Sequence, residues 1–249
     1  MSAFSNHFAF AARSYATYRP RYPDALFDWI ASLTPTRERA WDCGTGSGQA
    51  AVALARHYEQ VIATDPSVAQ LASAEPAAGV SYLAMTAEQA GLASRSMDVV
   101  TVAQALHWFD LRTFFAETDR VLRPGGTLAV WSYGLISVDP VIDPLLGRFY
   151  WETLGSFWPS GRALVDNGYA GVSLPYPERT APEFTMEATW SLSQFGGFLS
   201  TWSAVGRYRQ AVGADPLPQF MSSVAAAWGA TDARRVRWPL MVRSGRKAM

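Results

Sequence analysis

The chain has 249 residues, 49% of them hydrophobic, which is enough for one sizeable core with an added cap. Its 21 Lys and Arg residues balance 21 Asp and Glu residues, so no overall charge favours a nucleic acid or an anionic membrane. Cys43 is the single cysteine and Lys247 the single lysine, which excludes an intrachain disulfide and a Walker loop. The three histidines have no zinc-site spacing, so we expect no metal (His7, His57 and His107).

The first 23 residues carry aromatic and arginine side chains ahead of any predicted strand. One interpretation of this arm is a lid, in which Tyr15 and Tyr18 stack on a ligand and Arg19 or Arg21 holds a carboxylate. The other interpretation is a segment that simply packs on the surface. No apolar stretch in the sequence is long enough to span a bilayer, so a soluble cytoplasmic protein is expected.

A glycine-rich loop follows the first predicted strand and leads into a predicted helix at residues 50–57. Gly44 and Gly46 begin the spacing of the dinucleotide fingerprint, but Gln49 stands where its third glycine would fall. Asp42, two residues before the first glycine, would repel a phosphate. The loop therefore suits a nucleoside-type ligand with a cationic head better than a pyrophosphate.

Asp65 lies at the carboxyl end of the second predicted strand, residues 60–65, and Pro66 ends that strand. It follows the glycines by about 20 residues, the distance at which an acid holds the ribose hydroxyls of a bound nucleotide. The alternative is that Asp65 caps the helix predicted at residues 67–74.

Three more strands are predicted at residues 80–85, 97–103 and 127–133, with a helix over residues 114–122. The continuous, β-branched run at residues 97–103 is typical of a strand buried on both faces. Repeated strand–helix units predict a doubly wound, Rossmann-like α/β fold with a mostly parallel, seven-stranded sheet. In such sheets ligands bind at the carboxyl ends of the strands.

After residue 133 the strand–helix alternation stops and aromatic residues become frequent. We predict a strand at residues 184–190, helices at 192–212 and 219–228, and an antiparallel edge strand at 236–242, because Pro239 favours an edge. The chain is interpreted as one domain. Its predicted parts are a core at about 36–136 and 234–245, an arm or lid at 1–23, and an aromatic cap insertion at about 137–233.

The ordered motifs resemble those of class I S-adenosylmethionine-dependent methyltransferases, in the small-molecule branch that includes trans-aconitate methyltransferases. The matching segments are DCGTGSG (42–48), Asp65, AE (87–88), SMDV (96–99), ALHWF (105–109) and RVLRPGG (120–126), with YRPRYP (18–23) and WS (202–203). The resemblance covers residues 8–133 well and the last hundred residues loosely.

The resemblance implies a role for each matching position in holding S-adenosylmethionine. Asp42, Gly44 and Gly46 would contact its methionine part, Asp65 its ribose, Ala87 and Glu88 its adenine, and Gln104 would lie beside the sulfonium. Many relatives carry an aspartate where this chain has Thr86, so the contact to the adenine amino group differs.

Methyl transfer from a sulfonium is an in-line displacement, so positioning is the main task of the protein. His107 follows the fourth predicted strand and is the candidate base or acceptor orienter, and Trp108 a candidate pocket wall. The alternatives are a neutral histidine that holds a loop and a tryptophan that packs in the core. We expect a small-molecule acceptor, no nucleic-acid partner, and a monomer or homodimer. A non-catalytic S-adenosylmethionine-binding protein and a nicotinamide oxidoreductase remain open from sequence.

Overall fold

The computed structural model describes residues 20–249, and the proposed lid residues Tyr15, Tyr18 and Arg19 lie outside this range. Its eight strands are β1 Arg39–Cys43, β2 Gln60–Thr64, β3 Val80–Leu83, β4 Met97–Ala103, β5 Leu122–Ser132, β6 Glu178–Arg179, β7 Phe184–Trp190 and β8 Arg234–Arg246. The main sheet has the order β3-β2-β1-β4-β5-β8-β6. Strands β1 to β5 are parallel, and β8 is antiparallel to β5. The predicted Rossmann-like, mostly parallel fold is confirmed.

The last strand differs in detail from the predicted edge strand, because β8 has neighbours along its whole length. Its first half pairs with β7, with Pro239 opposite Thr185, and its second half pairs with β5. The two-residue strand β6 pairs beyond it. Both β6 and β7 fall inside the range assigned to the cap, so that range contributes strands as well as helices.

Four helices belong to the strand–helix units: α1 Asp24–Ser32, α2 Gln49–Leu54, α3 Val68–Leu71 and α4 Leu111–Val121. Five belong to the range after β5: α5 Ile142–Arg148, continued by a π-helical turn Phe149–Thr153, then α6 Arg162–Asp166, α7 Leu192–Ser200, α8 Ser203–Val212 and α9 Leu217–Trp228. Within residues 20–249, no helix combines the length and apolar character needed to cross a membrane.

The single helix predicted over residues 192–212 is instead two helices, α7 and α8, which are separated at Trp202. The backbone of Trp202 is extended, with φ −67° and ψ 130°, so the helical hydrogen-bond ladder stops there. The indole packs against Tyr150 and Trp158, with ring centroids 5.5 Å away in each case. Burial of this large ring therefore overrides local helix propensity.

Alternate residues of the central strands enter two separate hydrophobic cores on opposite faces of the sheet. Ala40, Val99 and Ala129 join the core that also contains α1, α2 and the cap helices. Trp41 and Val100 join the second core, which contains α4. This two-sided burial explains the continuous apolar run of β4.

A buried carboxylate holds the end of the sheet opposite the carboxyl ends of the strands. Asp98, which is 0% exposed, accepts hydrogen bonds from Thr36 Oγ1 (2.5 Å), from the Glu38 and Arg39 N–H groups (both 2.8 Å) and from Arg123 Nη1 (2.8 Å). Arg123 also pairs with Glu38 at 2.8 Å. The side chain of Asp98 thus links the starts of β1, β4 and β5.

Candidate active site

A cavity of about 360 Å³ lies at the carboxyl ends of β1, β2 and β4. Its wall is formed by the loops after these strands, the start of α2 and α3, and Tyr22 from the segment before α1. The lining residues are Tyr22, Gly44, Thr45, Gly46, Ser47, Gln49, Ala50, Asp65, Pro66, Ser67, Gln70, Thr86, Ala87, Glu88, Ala103, Gln104, Ala105, Trp108 and Phe109. Two acids and no Arg, Lys or His are among these described lining residues.

Two glycines of the loop pack closely against neighbouring side chains, and a third has open space beside it. A Cβ atom at Gly44 would lie 2.6 Å from the Ala105 Cβ, and one at Gly48 would lie 2.2 Å from the Tyr82 hydroxyl. A Cβ at Gly46 would meet no atom within 4 Å, since this residue faces the cavity. The loop therefore presents bare backbone to a ligand, as a nucleoside cofactor requires.

Asp65 lines the cavity with both carboxylate oxygens already fixed by backbone donors. Oδ2 accepts the Gly46 N–H at 2.9 Å, and Oδ1 accepts the Ser67 N–H at 2.8 Å. Each oxygen keeps a second lone pair for a ligand hydroxyl. Burial raises the pKa of this carboxyl, although the two backbone hydrogen bonds oppose the rise. The N-cap of α3 is Ser67 rather than Asp65.

Asp42 lies behind the glycine loop and is not among the cavity-lining residues. It is 0% exposed, and its oxygens accept hydrogen bonds from Thr45 Oγ1 (2.5 Å) and Thr101 Oγ1 (2.7 Å). Thr45, in contrast, lines the cavity. Burial raises the pKa of Asp42 from its usual 3.8 to about 6, and the two threonine hydrogen bonds oppose this. Among described residues, Asp42 therefore holds the loop and reaches the cavity only through Thr45.

This burial predicts a pH-dependent contribution of Asp42 to stability. Because the folded-state pKa is raised, the folded protein binds more protons than the unfolded chain between pH 3.8 and about 6. The contribution is therefore largest at low pH and is lost as pH rises through about 6. Relative to Asp42→Asn, the wild type should lose about 1 kcal/mol of unfolding free energy between about pH 5 and about pH 7. Urea unfolding of both proteins at each pH measures this difference, and an unchanged difference would contradict the prediction.

Ala87 and Glu88 also line the cavity, in the loop after β3. Glu88 lines the cavity, and its Oε1 accepts the Asp110 N–H at 3.0 Å, which ties this loop to the start of α4. Thr86 forms an isolated antiparallel bridge with Gln89 and also lines the cavity. The structure thus brings the predicted adenine-side residues to the same cavity as Asp65.

Gln104 lines the cavity at the end of β4 in an uncommon backbone conformation, with φ +55°. Its N–H donates to the Trp131 carbonyl and its Nε2 to the Tyr133 carbonyl, both at 2.9 Å. Non-glycine residues held at positive φ cost energy and occur often at functional sites. Two hydrogen bonds to the end of β5 maintain this conformation.

The structure separates the two predicted catalytic residues, His107 and Trp108. Trp108 lines the cavity and is 40% exposed. His107 is not a lining residue: its Nδ1 lies 3.2 Å from the Tyr169 hydroxyl, and its ring packs beside Gly161. Burial, followed by the charge of Arg162, lowers the pKa of His107 from 6.5 to about 4. The imidazole is therefore neutral at neutral pH and faces the cap.

Some lining residues were not singled out from sequence. Tyr22 reaches the cavity from the arm and packs edge-on against Trp131, with ring centroids 5.5 Å apart. Gln70 lines the cavity from α3, and its buried Oε1 has no hydrogen-bond partner among described residues. Gln70 lies five residues after Asp65 and on the same helical turn as Ser67, and this spacing could have indicated from sequence that it reaches the cavity. Arg21 instead forms an exposed ion pair with Glu75 at 2.7 Å.

The sequence and the fold are matched by known proteins. Residues 41–130 match the family model described as a methyltransferase domain. A Dictyostelium discoideum protein named as a methyltransferase is 35% identical over 233 residues, covering 92% of this chain and 89% of its own. A Saccharomyces cerevisiae protein named as an S-adenosylmethionine-dependent methyltransferase is 32% identical over 232 residues, covering 78% and 79%. A solved type II methyltransferase structure from Anaeromyxobacter dehalogenans is 44% identical, with a TM-score of 0.87, covering 93% of this chain and 100% of that one.

Together with the glycine loop and the cavity, these similarities define an enzyme that uses S-adenosylmethionine. The chain belongs to the class I S-adenosylmethionine-dependent methyltransferases. The predicted family, enzyme class and cofactor are therefore confirmed. The oxidoreductase and the non-catalytic binding protein, which the sequence left open, are set aside. The narrower resemblance to trans-aconitate methyltransferases stays a prediction.

The cavity fits the cofactor on four observations. The glycine loop leaves open space at Gly46, and a carboxylate stands ready at Asp65. The buried Gln70 Oε1 on the cavity wall lacks a partner among described residues. The acidic lining, without a described cationic residue, suits a ligand whose sulfonium and amino group are positive.

Proposed function

We propose that this enzyme methylates a small organic molecule in the cavity beside Gln104 and Trp108. The carrying observation is the cavity of about 360 Å³, which is in the range of small-ligand pockets. Aromatic side chains of Tyr22, Trp108 and Phe109 form part of its wall and favour a flat or apolar acceptor. The balanced net charge of the chain gives no support to a nucleic-acid substrate.

The proposed cofactor contacts follow the resemblance, with one refinement. Asp65 holds the ribose hydroxyls, Ala87 and Glu88 border the adenine, and Gly44 and Gly46 border the methionine part. Asp42 acts on that part through Thr45, because Asp42 is 0% exposed and does not line the cavity, whereas Thr45 does. When bound, the cofactor supplies a methyl group on a positively charged sulfur.

The acceptor side is proposed to be closed by the lid and the cap. Tyr15, Tyr18 and Arg19 would cover the cavity from the arm, and the cap at about 137–233 would roof it. Trp108 forms a wall of the acceptor pocket. His107 orients this wall, since its ring lies 4.8 Å from the Trp108 ring and is held by Tyr169. A cytoplasmic location and a monomer or homodimer remain part of the proposal.

The proposed function is tested with methyl-labelled S-adenosylmethionine and a deproteinised, ultrafiltered cell extract as the source of acceptors. Wild-type enzyme should transfer label into extractable small molecules, whereas Asp65→Ala should transfer far less at the same donor concentration. Parallel incubations with purified protein and nucleic-acid fractions serve as comparisons. Label found only in those macromolecular fractions would contradict the proposal.

Replacing His107 with alanine should lower turnover by roughly fivefold, while cofactor affinity changes little. The neutral imidazole positions Trp108 and the cap rather than the cofactor, so its loss misplaces the acceptor. Turnover is measured with the labelled donor and affinity by calorimetry with S-adenosylhomocysteine. His57→Ala, at a histidine outside the cavity lining, is the control. A larger loss of affinity than of turnover would make His107 a cofactor-binding residue.

A further inference from the structure

We propose that Gln104 selects acceptors whose reacting atom carries a hydrogen, that is, hydroxyl or amine groups rather than carboxylates. Its amide oxygen is fixed at the cavity wall to accept that hydrogen. This inference rests on the proposed function, methyl transfer to a small organic molecule, and narrows the acceptor class.

The orientation of the Gln104 amide is determined by its partner. Nε2 donates to the carbonyl oxygen of Tyr133, which can only accept, so the nitrogen must face β5 and the oxygen must point away. The backbone N–H is held by the Trp131 carbonyl, and the positive φ turns the residue out of the strand. Both ends of the residue are thus tied to the end of β5, which leaves the side chain little freedom.

One hydrogen-bonding group of Gln104 is left over. No donor among residues 20–249 reaches its Oε1, and this oxygen is not sealed inside the protein. Gln104 is half-buried and lines the cavity, with Tyr22 and Trp108 in the same wall. An amide oxygen with free lone pairs in a cavity is an acceptor for an O–H or N–H group.

The charge of the cavity favours the same class of acceptor. Asp65 and Glu88 line it, and no cationic side chain does so among the described lining residues. A carboxylate acceptor has no hydrogen to donate to the Gln104 oxygen and would set its negative charge against the lone pairs of that oxygen, which is unfavourable in a partly buried site. A hydroxyl or amine brings no negative charge and satisfies the free oxygen. Arg162, the cap cation nearest His107, is committed through Nε to Tyr150 and Asp166 and does not line the cavity.

The hydrogen bond would orient the acceptor, and no protein group would be chemically changed by the reaction. The acceptor oxygen or nitrogen uses its lone pair to bond the methyl carbon, and the carbon–sulfur bond breaks with its electron pair left on sulfur. The hydrogen on the acceptor atom leaves as a proton to water, because an amide oxygen is too weak a base to keep it. Gln104 fixes the direction of the lone pair toward the methyl carbon while the hydrogen points to Oε1.

The chemistry of the transferred methyl group tests the inference directly. Small-molecule products made from isotope-labelled donor and the ultrafiltered extract are treated with mild alkali, and the label is then located by NMR. We expect alkali-stable methyl groups on oxygen or nitrogen. Volatile methanol released from methyl esters as the main product, or methyl groups on carbon, would overturn the inference and leave the proposed function intact. Absence of any small-molecule product would instead count against both.

Two variants separate the free oxygen from the bond to Tyr133. Q104E and Q104M both lose the Nε2–Tyr133 hydrogen bond, but only Q104E keeps an oxygen acceptor at this position. Both should bind S-adenosylhomocysteine with an affinity within roughly threefold of each other by calorimetry. Transfer by Q104E should exceed that by Q104M several-fold at a matched concentration of extract. Equal transfer by the two variants would assign Gln104 a structural role only.

Discussion

Replacing Asp65 with alanine is expected to weaken S-adenosylmethionine binding by at least about tenfold, or about 1.4 kcal/mol. Asp65 lines the cavity and each of its oxygens accepts one backbone N–H, which leaves a lone pair on each, so the variant loses a charged acceptor for the two ribose hydroxyls. It also leaves the Gly46 and Ser67 N–H groups without their partner, which loosens the loop that faces the cofactor. The variant therefore loses both the contact to the ribose and the fixed geometry of the loop.

Calorimetric titration with S-adenosylmethionine and S-adenosylhomocysteine measures this effect, with thermal unfolding as a check on folding. Asp65→Asn keeps one acceptor oxygen, so one of the Gly46 and Ser67 N–H groups stays paired while the charge is gone, and its affinity should lie between those of Asp65→Ala and wild type. Asp28→Ala is the matched control, since Asp28 is exposed on α1 and does not line the cavity. Unchanged affinity in a folded Asp65→Ala protein would remove Asp65 from the cofactor site.

Replacing Asp98 with alanine is expected to lower the free energy of unfolding by about 3–5 kcal/mol. The carboxylate is fully buried and receives four hydrogen bonds, two of them from backbone N–H groups at the start of β1. Its removal leaves those donors unpaired and separates Arg123 from one of its two acids.

Urea unfolding followed by tryptophan fluorescence measures the change. Thr36→Val, which removes one of the four donors, should cost about 1 kcal/mol and gives a readable result even if the alanine variant does not fold. The comparison is Asp215→Ala, which breaks an exposed ion pair with Arg209 and should cost less than about 1 kcal/mol. Similar losses for Asp98→Ala and Asp215→Ala would show that the buried cluster contributes little.

The parallel half of the fold could be predicted from local sequence because each strand there is short, apolar and bounded by a turn. Strand β4, at residues 97–103, has the predicted bounds, and so does strand β7 of the antiparallel part, at 184–190. The pairings of β8 could not be predicted, since they join residues far apart in sequence. Residues 123–126, between the predicted helix at 114–122 and the predicted strand at 127–133, form a register irregularity inside β5, because Met97 pairs with Leu122 and Val99 with Thr127.

The residues on the cofactor side of the site could be predicted from sequence better than those on the acceptor side, for a physical reason. Gly46 and Asp65 sit at loop positions whose direction follows from a parallel strand, so spacing alone brings them to the cavity. His107 and Trp108 lie in a 3₁₀ turn, where neighbouring side chains point about 120° apart. One faces the cavity and the other the cap, and only tertiary packing decides which. The free oxygen of Gln104 likewise depends on contacts to β5.

The double pairing of β8 sets the order in which the molecule can be assembled during synthesis. Strand β5 ends at Ser132 and β7 at Trp190, but β8, which pairs with both, begins only at Arg234. Neither β5 nor β7 can pair with β8 while the ribosome is still making the intervening residues. We therefore infer that a nascent chain carries an open sheet edge at β5 and an unpaired strand β7 until β8 emerges, and that this interval exposes it to aggregation and chaperone binding.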